Sequence, residues 1–264
     1  GDTFDLPQAW TVRSIARAHP DAMRALESLA RRVQTIFIRG NHDWTLEYKR
    51  LFPGAQTCEA LLVGDALVWH GHRLDRYCHP DRPFHRWKVA LHHAAERVFG
   101  FEFRVPLREH DTWQNRAAHW LGWQYGRHLR RTAAVFRVLG LGERAAEAEE
   151  FIRYWSRSVW GDPHALFGPA AELVSEGSYG AVVCGHTHLP GVVDLDGRFY
   201  VNAGSWAFAS AQLATGENGA FRVEDRATGK ALGDESYRWM LDGVDPGDFF
   251  AWWAAHYRGW LRFR

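Results

Sequence analysis

This chain has few cysteines, no long apolar run and no excess of one charge. Its three cysteines include no Cys-x-x-Cys pair, which disfavours a disulfide framework or a structural zinc site and favours a reducing compartment, the cytoplasm. No apolar run approaches the roughly 18 residues of a membrane-spanning helix, and no signal peptide is predicted. Because 32 basic residues stand against 31 acidic ones, no nucleic-acid partner is expected.

What the chain does contain is the mixture of helix and strand patterns that is typical of an α/β fold. Apolar residues recur at helical spacing over 20–33, and a short apolar strand within 35–43 runs into a glycine turn. Residues 57–72 predict two strands joined at Gly64-Asp65. Strands resume at 179–188 and continue through a hairpin at Asp196-Gly197. The chain is long enough for these segments to share one large core.

Residues 73–163 interrupt this pattern. Long helical patterns rich in Arg, Trp, His and Ala replace the strands, which predicts a helical insertion. Within it, Arg127 and Arg131 lie near several aromatic residues, and they face either a phosphate-bearing or membrane-bound substrate or simply solvent. Residues 246–264 predict an amphipathic helix. Its aromatic stripe serves either as a core or dimer contact or, through its basic end, as a peripheral membrane contact.

Polar side chains with metal-binding chemistry follow several of the strands. They are Asp2 in GDTFD, Asn41 in GNHD, His70 in HGH, and His186 and His188 in GHTH. In a mainly parallel sheet, residues just past the carboxyl ends of strands converge on one crevice. Carboxylate, amide oxygen and imidazole together suit Mn, Fe or Zn, and a carboxylate can bridge two ions about 3.5–4 Å apart. If residues 186–188 are extended, both imidazoles point to the same face and can each bind one of two neighbouring ions.

Taken in this order and spacing, GDTFD, GNHD, HGH and GHTH, followed by NAGSW, resemble the calcineurin-like metallophosphoesterase superfamily. Within it the chain is most similar in look to the bacterial UDP-2,3-diacylglucosamine pyrophosphatase type, although His72 stands where that type carries an aspartate. The resemblance covers residues 1–72 and 179–225. It implies a two-sheet αββα sandwich forming a single domain over 1–264, with residues 73–163 as a lid or cap. It also implies an Asp-x-His motif on a first strand, which we expect upstream of Gly1.

The resemblance implies a role for each matching residue. Asp2 would bridge two metal ions, Asn41, His70 and His186 would complete one site, and His188 would belong to the other. His42 would assist the leaving group, with Asp43 orienting it. The remaining candidates would support the ligands or contact the substrate, or lie in solvated loops. They are Asp5, His72 and Asp75, with Arg127 and Arg131 from the insertion.

These roles imply a hydrolase that uses two divalent ions, with manganese the first expectation and iron or zinc the alternatives. A metal-bridging hydroxide would attack a phosphomonoester, a phosphodiester or a diphosphate, and a UDP-sugar-lipid is one such diphosphate. The substrate is thus a phosphorylated small molecule or a lipid-linked one. Two other functions stay open. One is a non-catalytic scaffold that binds proteins on the same fold, and the other is an exonuclease-type phosphodiesterase, which would need a nucleic-acid groove.

Overall fold

The computed structural model of this chain describes residues 1–74, 85–100, 112–155, 163–206, 211–235 and 237–242. Its helices are α1 (Leu6–Ala9), α2 (Val12–Ala18), α3 (Pro20–Arg32), α4 (His85–Phe99), α5 (Trp113–Val138), α6 (Gly142–Trp155), α7 (Pro163–Ser175) and α8 (Arg238–Leu241). Its strands are β1 (Ile36–Ile38), β2 (Gln56–Cys58), β3 (Ala60–Val63), β4 (Ala66–Trp69), β5 (Ala181–Cys184), β6 (Gly191–Asp194), β7 (Phe199–Asn202), β8 (Gln212–Glu217), β9 (Ala220–Asp225) and β10 (Lys230–Leu232). The predicted mixed α/β class is confirmed.

The HGH and GHTH motifs follow strands of a five-stranded mixed sheet, whose strand order is β3-β4-β5-β7-β6. Its three central strands, β4, β5 and β7, run parallel, while β3 and β6 are antiparallel edges. Both predicted hairpins are confirmed. At the second of them, Asp196 and Gly197 have φ angles of 57° and 80°, the two left-handed residues that a two-residue type I′ turn requires. The parallel centre brings the carboxyl ends of three strands to one edge.

A smaller parallel sheet lies beside an aromatic core. It pairs β1 with β2, and a 3₁₀ turn at Tyr48–Arg50 lies between these two strands in the chain. Tyr48 stacks on Phe37 with ring centroids 4.2 Å apart, and Phe4 and Phe52 complete the cluster. The predicted helix at 20–33 is confirmed as α3, which packs its apolar face on this cluster. The site loops described below begin directly from these buried elements.

The chain divides into two compact units. The first comprises Gly1–Ala94 and Ala165–Tyr237, and the second comprises Ala95–His164 and Arg238–Arg264. The second unit contains α5 and α6, so the described part of 73–163 is helical as predicted. The division between the units falls inside α4, between Ala94 and Ala95, and the bounds 73–163 of the insertion stay a prediction. The predicted helix at 246–264 lies outside the described residues.

The helices of the second unit expose several large apolar side chains. Trp113 on α5 is 74% exposed, and Trp120 and Tyr125 on the same helix are exposed as well. Within the described part of the chain, none of the helices combines the length and the apolar character that crossing a bilayer requires.

Candidate metal centre

The polar residues of three motifs meet at the carboxyl ends of strands. His70 directly follows β4, and His186 follows β5 after one glycine. Because these two strands are paired in parallel, the two histidines lie side by side, and the backbone N–H of His186 donates to the carbonyl of His70 at 3.1 Å. Their ring centroids are 5.1 Å apart. The parallel sheet thus brings together two motifs that are 116 residues apart in the sequence.

His70 is the most closely surrounded of these histidines. Its Nε2 lies 3.0 Å from Asp2 Oδ2 and 3.2 Å from Asn41 Oδ1. Asn41 comes from the turn after β1, in the smaller sheet. The ring is 3% exposed, and its Nδ1 has no hydrogen-bond partner within the described residues. Two separate segments of the chain, those of Asp2 and Asn41, therefore direct oxygen atoms at one buried imidazole.

The Asp2 side chain lies directly against the backbone at Gly40, which has no side chain. A Cβ on Gly40 would stand 2.0 Å from Asp2 Oδ1, so glycine is needed to let the two segments approach. The backbone N–H of His42 donates to the same Oδ1 at 2.7 Å. Asp2 itself has a φ of 56°, a left-handed conformation that is uncommon for residues other than glycine and that tends to occur at functional sites.

The protonation states of this pair suit metal binding. Burial alone would raise the pKa of Asp2, but the adjacent His70 and His42 together lower it well below the usual range. Burial also lowers the pKa of His70 well below its ordinary value, against the opposing effect of Asp2. At neutral pH the pair is therefore a carboxylate anion and a neutral imidazole, the forms in which these side chains bind metal.

The donor set fits a divalent transition-metal ion. Ligand atoms of Asp2, His70 and His186 all lie within 4.8 Å of one another, and Asn41 adds an amide oxygen to them. Two ligands about 2.1 Å from one ion and at right angles to each other are about 3.0 Å apart. The 3.0 and 3.2 Å contacts of His70 match that spacing, although they are also hydrogen-bond distances. All four residues predicted for the first metal site are therefore brought together.

His186 and His188 lie on a turn, not on an extended segment as predicted. Strand β5 ends at Cys184, and the N–H of His188 donates back to the carbonyl of Gly185 at 2.7 Å. His188 has a φ of 54°, so the chain reverses there and the same-face geometry is lost. Among the described residues, His188 lies outside the three-residue ligand group. Its assignment to a second metal ion stays a prediction.

His42 is oriented by Asp5. Its Nδ1 lies 2.9 Å from Asp5 Oδ1, a contact in which the carboxylate accepts. The sequence prediction gave this role to Asp43, but Asp43 instead accepts from the backbone N–H groups of Thr3 and Gly40 and from the hydroxyl of Tyr48. The reason is geometric, because the turn after β1 directs adjacent side chains, His42 and Asp43, to different surroundings.

His72 is part of the same buried cluster. It is 5% exposed, and its ring centroid lies 5.4 Å from that of His70 and 6.4 Å from that of His186. Its Nδ1 has no hydrogen-bond partner in the described part of the chain. Burial, and then the neighbouring His186, lowers the pKa of His72 to about 4. The alternative of a solvated loop residue therefore does not hold for His72.

The remaining candidates are two arginines of the insertion and Asp75. Arg127 and Arg131 are exposed on α5, in the second unit, so their contact with a substrate stays a prediction. Asp75 lies outside the described residues.

Two residues of the surroundings were not predicted. Tyr48 contacts Asp43, as described above, and the buried Asn202 donates to the Thr187 hydroxyl at 3.1 Å, inside the His186–His188 turn. Asn202 is the last residue of β7 and the first of NAGSW, and the place of this segment at the end of an apolar strand was the available signal.

No family model matches the chain, and no curated protein matches it.

Proposed function

We propose that this protein is a metal-dependent phosphoesterase with a calcineurin-like fold. The observation that carries the proposal is the cluster of Asp2, Asn41, His70 and His186. A carboxylate, an amide oxygen and two imidazoles come from four separate segments, three of which directly follow strands. A buried cluster of polar side chains costs free energy unless something compensates it. A bound divalent ion would provide that compensation.

The ligand chemistry suits a divalent first-row metal ion. Mixed oxygen and nitrogen donors suit manganese, zinc or iron, and manganese is our first expectation. When bound, such an ion would act as a Lewis acid toward a phosphoryl oxygen and would make a water molecule more acidic. The contribution of the protein is a cradle in which Gly40 lets Asp2 approach the backbone closely. Burial favours the neutral form of His70, and the neighbouring histidines favour the carboxylate form of Asp2.

His42 is the residue proposed to handle the proton of the leaving group. The contact between its Nδ1 and Asp5 fixes the orientation of the ring, so proton exchange with the substrate would take place at Nε2. A carboxylate behind an imidazole also stabilises the imidazolium form. We propose that protonated His42 donates to the leaving oxygen as the phosphorus–oxygen bond breaks. Asp5 thereby replaces Asp43 as the partner of His42 in the proposed mechanism.

The proposed reaction implies a class of substrates but does not single out one compound. Phosphomonoesters, phosphodiesters and diphosphates all present phosphoryl oxygens that a metal ion held by this donor set would bind, and a UDP-sugar-lipid is one diphosphate among them. The exposed Arg127 and Arg131 are proposed to contact a phosphate-bearing or lipid-linked substrate.

The proposal is tested by metal-dependent release of nitrophenol from three substrates: p-nitrophenyl phosphate, its bis-ester and a nitrophenyl diphosphate ester. We expect turnover with Mn²⁺ and its loss in EDTA. His186→Ala should abolish turnover, whereas His128→Ala, an exposed histidine on α5, should leave it unchanged. If the wild-type chain hydrolyses none of the three with any of Mn²⁺, Zn²⁺ or Fe²⁺, the phosphoesterase proposal fails and the non-catalytic scaffold takes its place.

A further inference from the structure

A single buried carboxylate joins the two loops that carry the oxygen ligands. Asp43 is fully buried. Its Oδ2 accepts from the backbone N–H of Thr3 at 2.8 Å, and its Oδ1 accepts from the backbone N–H of Gly40 at 2.7 Å. Thr3 directly follows Asp2, and Gly40 directly precedes Asn41. The two oxygens of one side chain therefore hold the backbone on either side of the gap between these ligands.

Asp43 is itself held in place by Tyr48. The Tyr48 hydroxyl donates to Asp43 Oδ2, the same oxygen that accepts from Thr3. Tyr48 is fully buried, its ring stacks on Phe37, and its backbone N–H donates to the Thr57 hydroxyl on β2 at 2.9 Å. The chain of contacts thus runs from the aromatic core and β2, through Tyr48 and Asp43, to both ligand loops.

The ring and the hydroxyl of Tyr48 make different contacts. The ring fills the core next to Phe4 and Phe37, and a phenylalanine would fill it equally well. The hydroxyl is used for Asp43. A core position that needed only volume would have no use for that hydroxyl, and burying a hydroxyl without a partner costs free energy. The presence of a tyrosine here is therefore explained by the hydrogen bond to Asp43.

We propose that Tyr48 is a positioning residue of the metal centre, which acts through Asp43 to set the separation of Asp2 and Asn41. The inference rests on the proposed function, since it assigns a role to that same site. Partners behind metal ligands typically contribute 10- to 100-fold to metal affinity or activity when they are removed. Tyr48 lies outside all four sequence motifs, so nothing in the motif pattern pointed to it.

The test measures metal binding by the 264-residue chain without any substrate. Protein stripped with EDTA is titrated with Co²⁺, following its visible absorption, and with Mn²⁺ in competition with a fluorescent chelator. Four variants are compared: Tyr48→Phe, Asp43→Asn, these two changes combined, and Phe52→Leu as the control. Phe52 is 1% exposed and stacks in the same aromatic cluster, so its truncation disturbs the core but leaves the hydroxyl of Tyr48 in place.

We expect Tyr48→Phe to fold, to weaken Mn²⁺ binding roughly tenfold or more, and to alter the Co²⁺ spectrum. Its hydrolytic activity should return when Mn²⁺ is raised. Phe52→Leu should lower Tm and leave metal affinity unchanged. Asp43→Asn should weaken binding further, because an amide offers one acceptor oxygen where the carboxylate offers two. Combined with Asp43→Asn, Tyr48→Phe should add little, since both changes act on the same contact.

The outcomes separate the two proposals. If the wild-type chain binds metal but Tyr48→Phe binds it as tightly as the wild type, the positioning role is wrong and the phosphoesterase proposal stands. Equal weakening by Tyr48→Phe and Phe52→Leu also overturns it, because core stability would then account for the effect. If the wild-type chain binds none of the ions, the proposed function and this inference both fail. Should Tyr48→Phe not fold, the comparison of Asp43→Asn with Phe52→Leu decides in the same way.

Discussion

The replacement of Gly40 by alanine tests the metal centre through a single methyl group. A Cβ at this position would stand 2.0 Å from Asp2 Oδ1 and 2.6 Å from both the Asp2 Cγ and the Asp2 backbone nitrogen. Contacts under 3.0 Å essentially never occur for a Cβ, so the first distance must grow by about 1 Å. Rotation of the Asp2 side chain cannot relieve the clash with the backbone nitrogen. The whole Asp2 segment must therefore move away from Asn41.

A displacement of this size should cost far more in activity than in stability. Misplacing a reacting group by about 1 Å can lower the rate on the order of 100-fold, whereas overpacking typically lowers the free energy of unfolding by about 1–3 kcal/mol. We expect Gly40→Ala to fold, with a modest fall in Tm, and to lose about two orders of magnitude in kcat/KM for a nitrophenyl ester. Mn²⁺ affinity should fall in parallel.

The matched control is Gly168→Ala. Gly168 lies in α7, in the same unit, and a Cβ there would have nothing within 4 Å. Because alanine is the better helix former, this change should be neutral or stabilise the protein by about 1 kcal/mol or less, with unchanged activity. If Gly40→Ala kept full activity and Mn²⁺ affinity, Asp2 would not be held against Gly40 as described, and the reasoning about this cradle would be refuted.

Three further predictions concern individual residues. Asn41→Ala should reduce turnover at least 10-fold while circular dichroism shows an intact fold, and near-normal turnover would remove Asn41 from the ligand set. Asp5→Asn should lower kcat on the order of 10- to 100-fold and shift the alkaline limb of the pH–rate profile, where activity is lost as the general acid deprotonates, since protonated His42 loses its carboxylate partner; an unchanged profile would contradict that pairing. For His72, the folded-state pKa of about 4 lies below the ordinary 6.5. Between pH 6.5 and pH 4 the unfolded state therefore binds more protons than the folded state. The free energy of unfolding consequently falls as the pH is lowered through this range. In denaturant melts of EDTA-treated protein, His72→Gln should remove up to about 3 kcal/mol of that pH dependence between pH 7 and pH 4, and identical pH dependence in both proteins would refute the burial argument.

The parts of the site that were predictable from sequence are those fixed by strand ends. His70 and His186 each come immediately after a short apolar run, and parallel pairing of β4 with β5 then brings them together without further information. Asn41 follows β1 in the same way. The hairpins were equally accessible, because Gly64-Asp65 and Asp196-Gly197 are turn sequences with a local physical cause.

What escaped prediction depends on backbone reversals and on contacts between distant residues. The turn at His188 follows from a left-handed residue that is not glycine, and the sequence carries no signal for it. The pairing of His42 with Asp5 spans 37 positions, and that of Asp43 with Thr3 spans 40. Such pairings depend on how the turn after β1 directs two adjacent side chains. Tyr48 was indistinguishable in sequence from any other core aromatic residue, because its hydroxyl matters only once Asp43 is buried next to it.

The central claim is that Asp2, Asn41, His70 and His186 bind a divalent metal ion. The most direct measurement is a calorimetric titration of the EDTA-treated chain with Mn²⁺ and with Zn²⁺, repeated on His186→Ala and on His128→Ala. We expect the wild type and His128→Ala to bind at least one equivalent, and His186→Ala to lose that binding. The absence of binding in the wild type, or equal binding by all three proteins, would contradict the central claim.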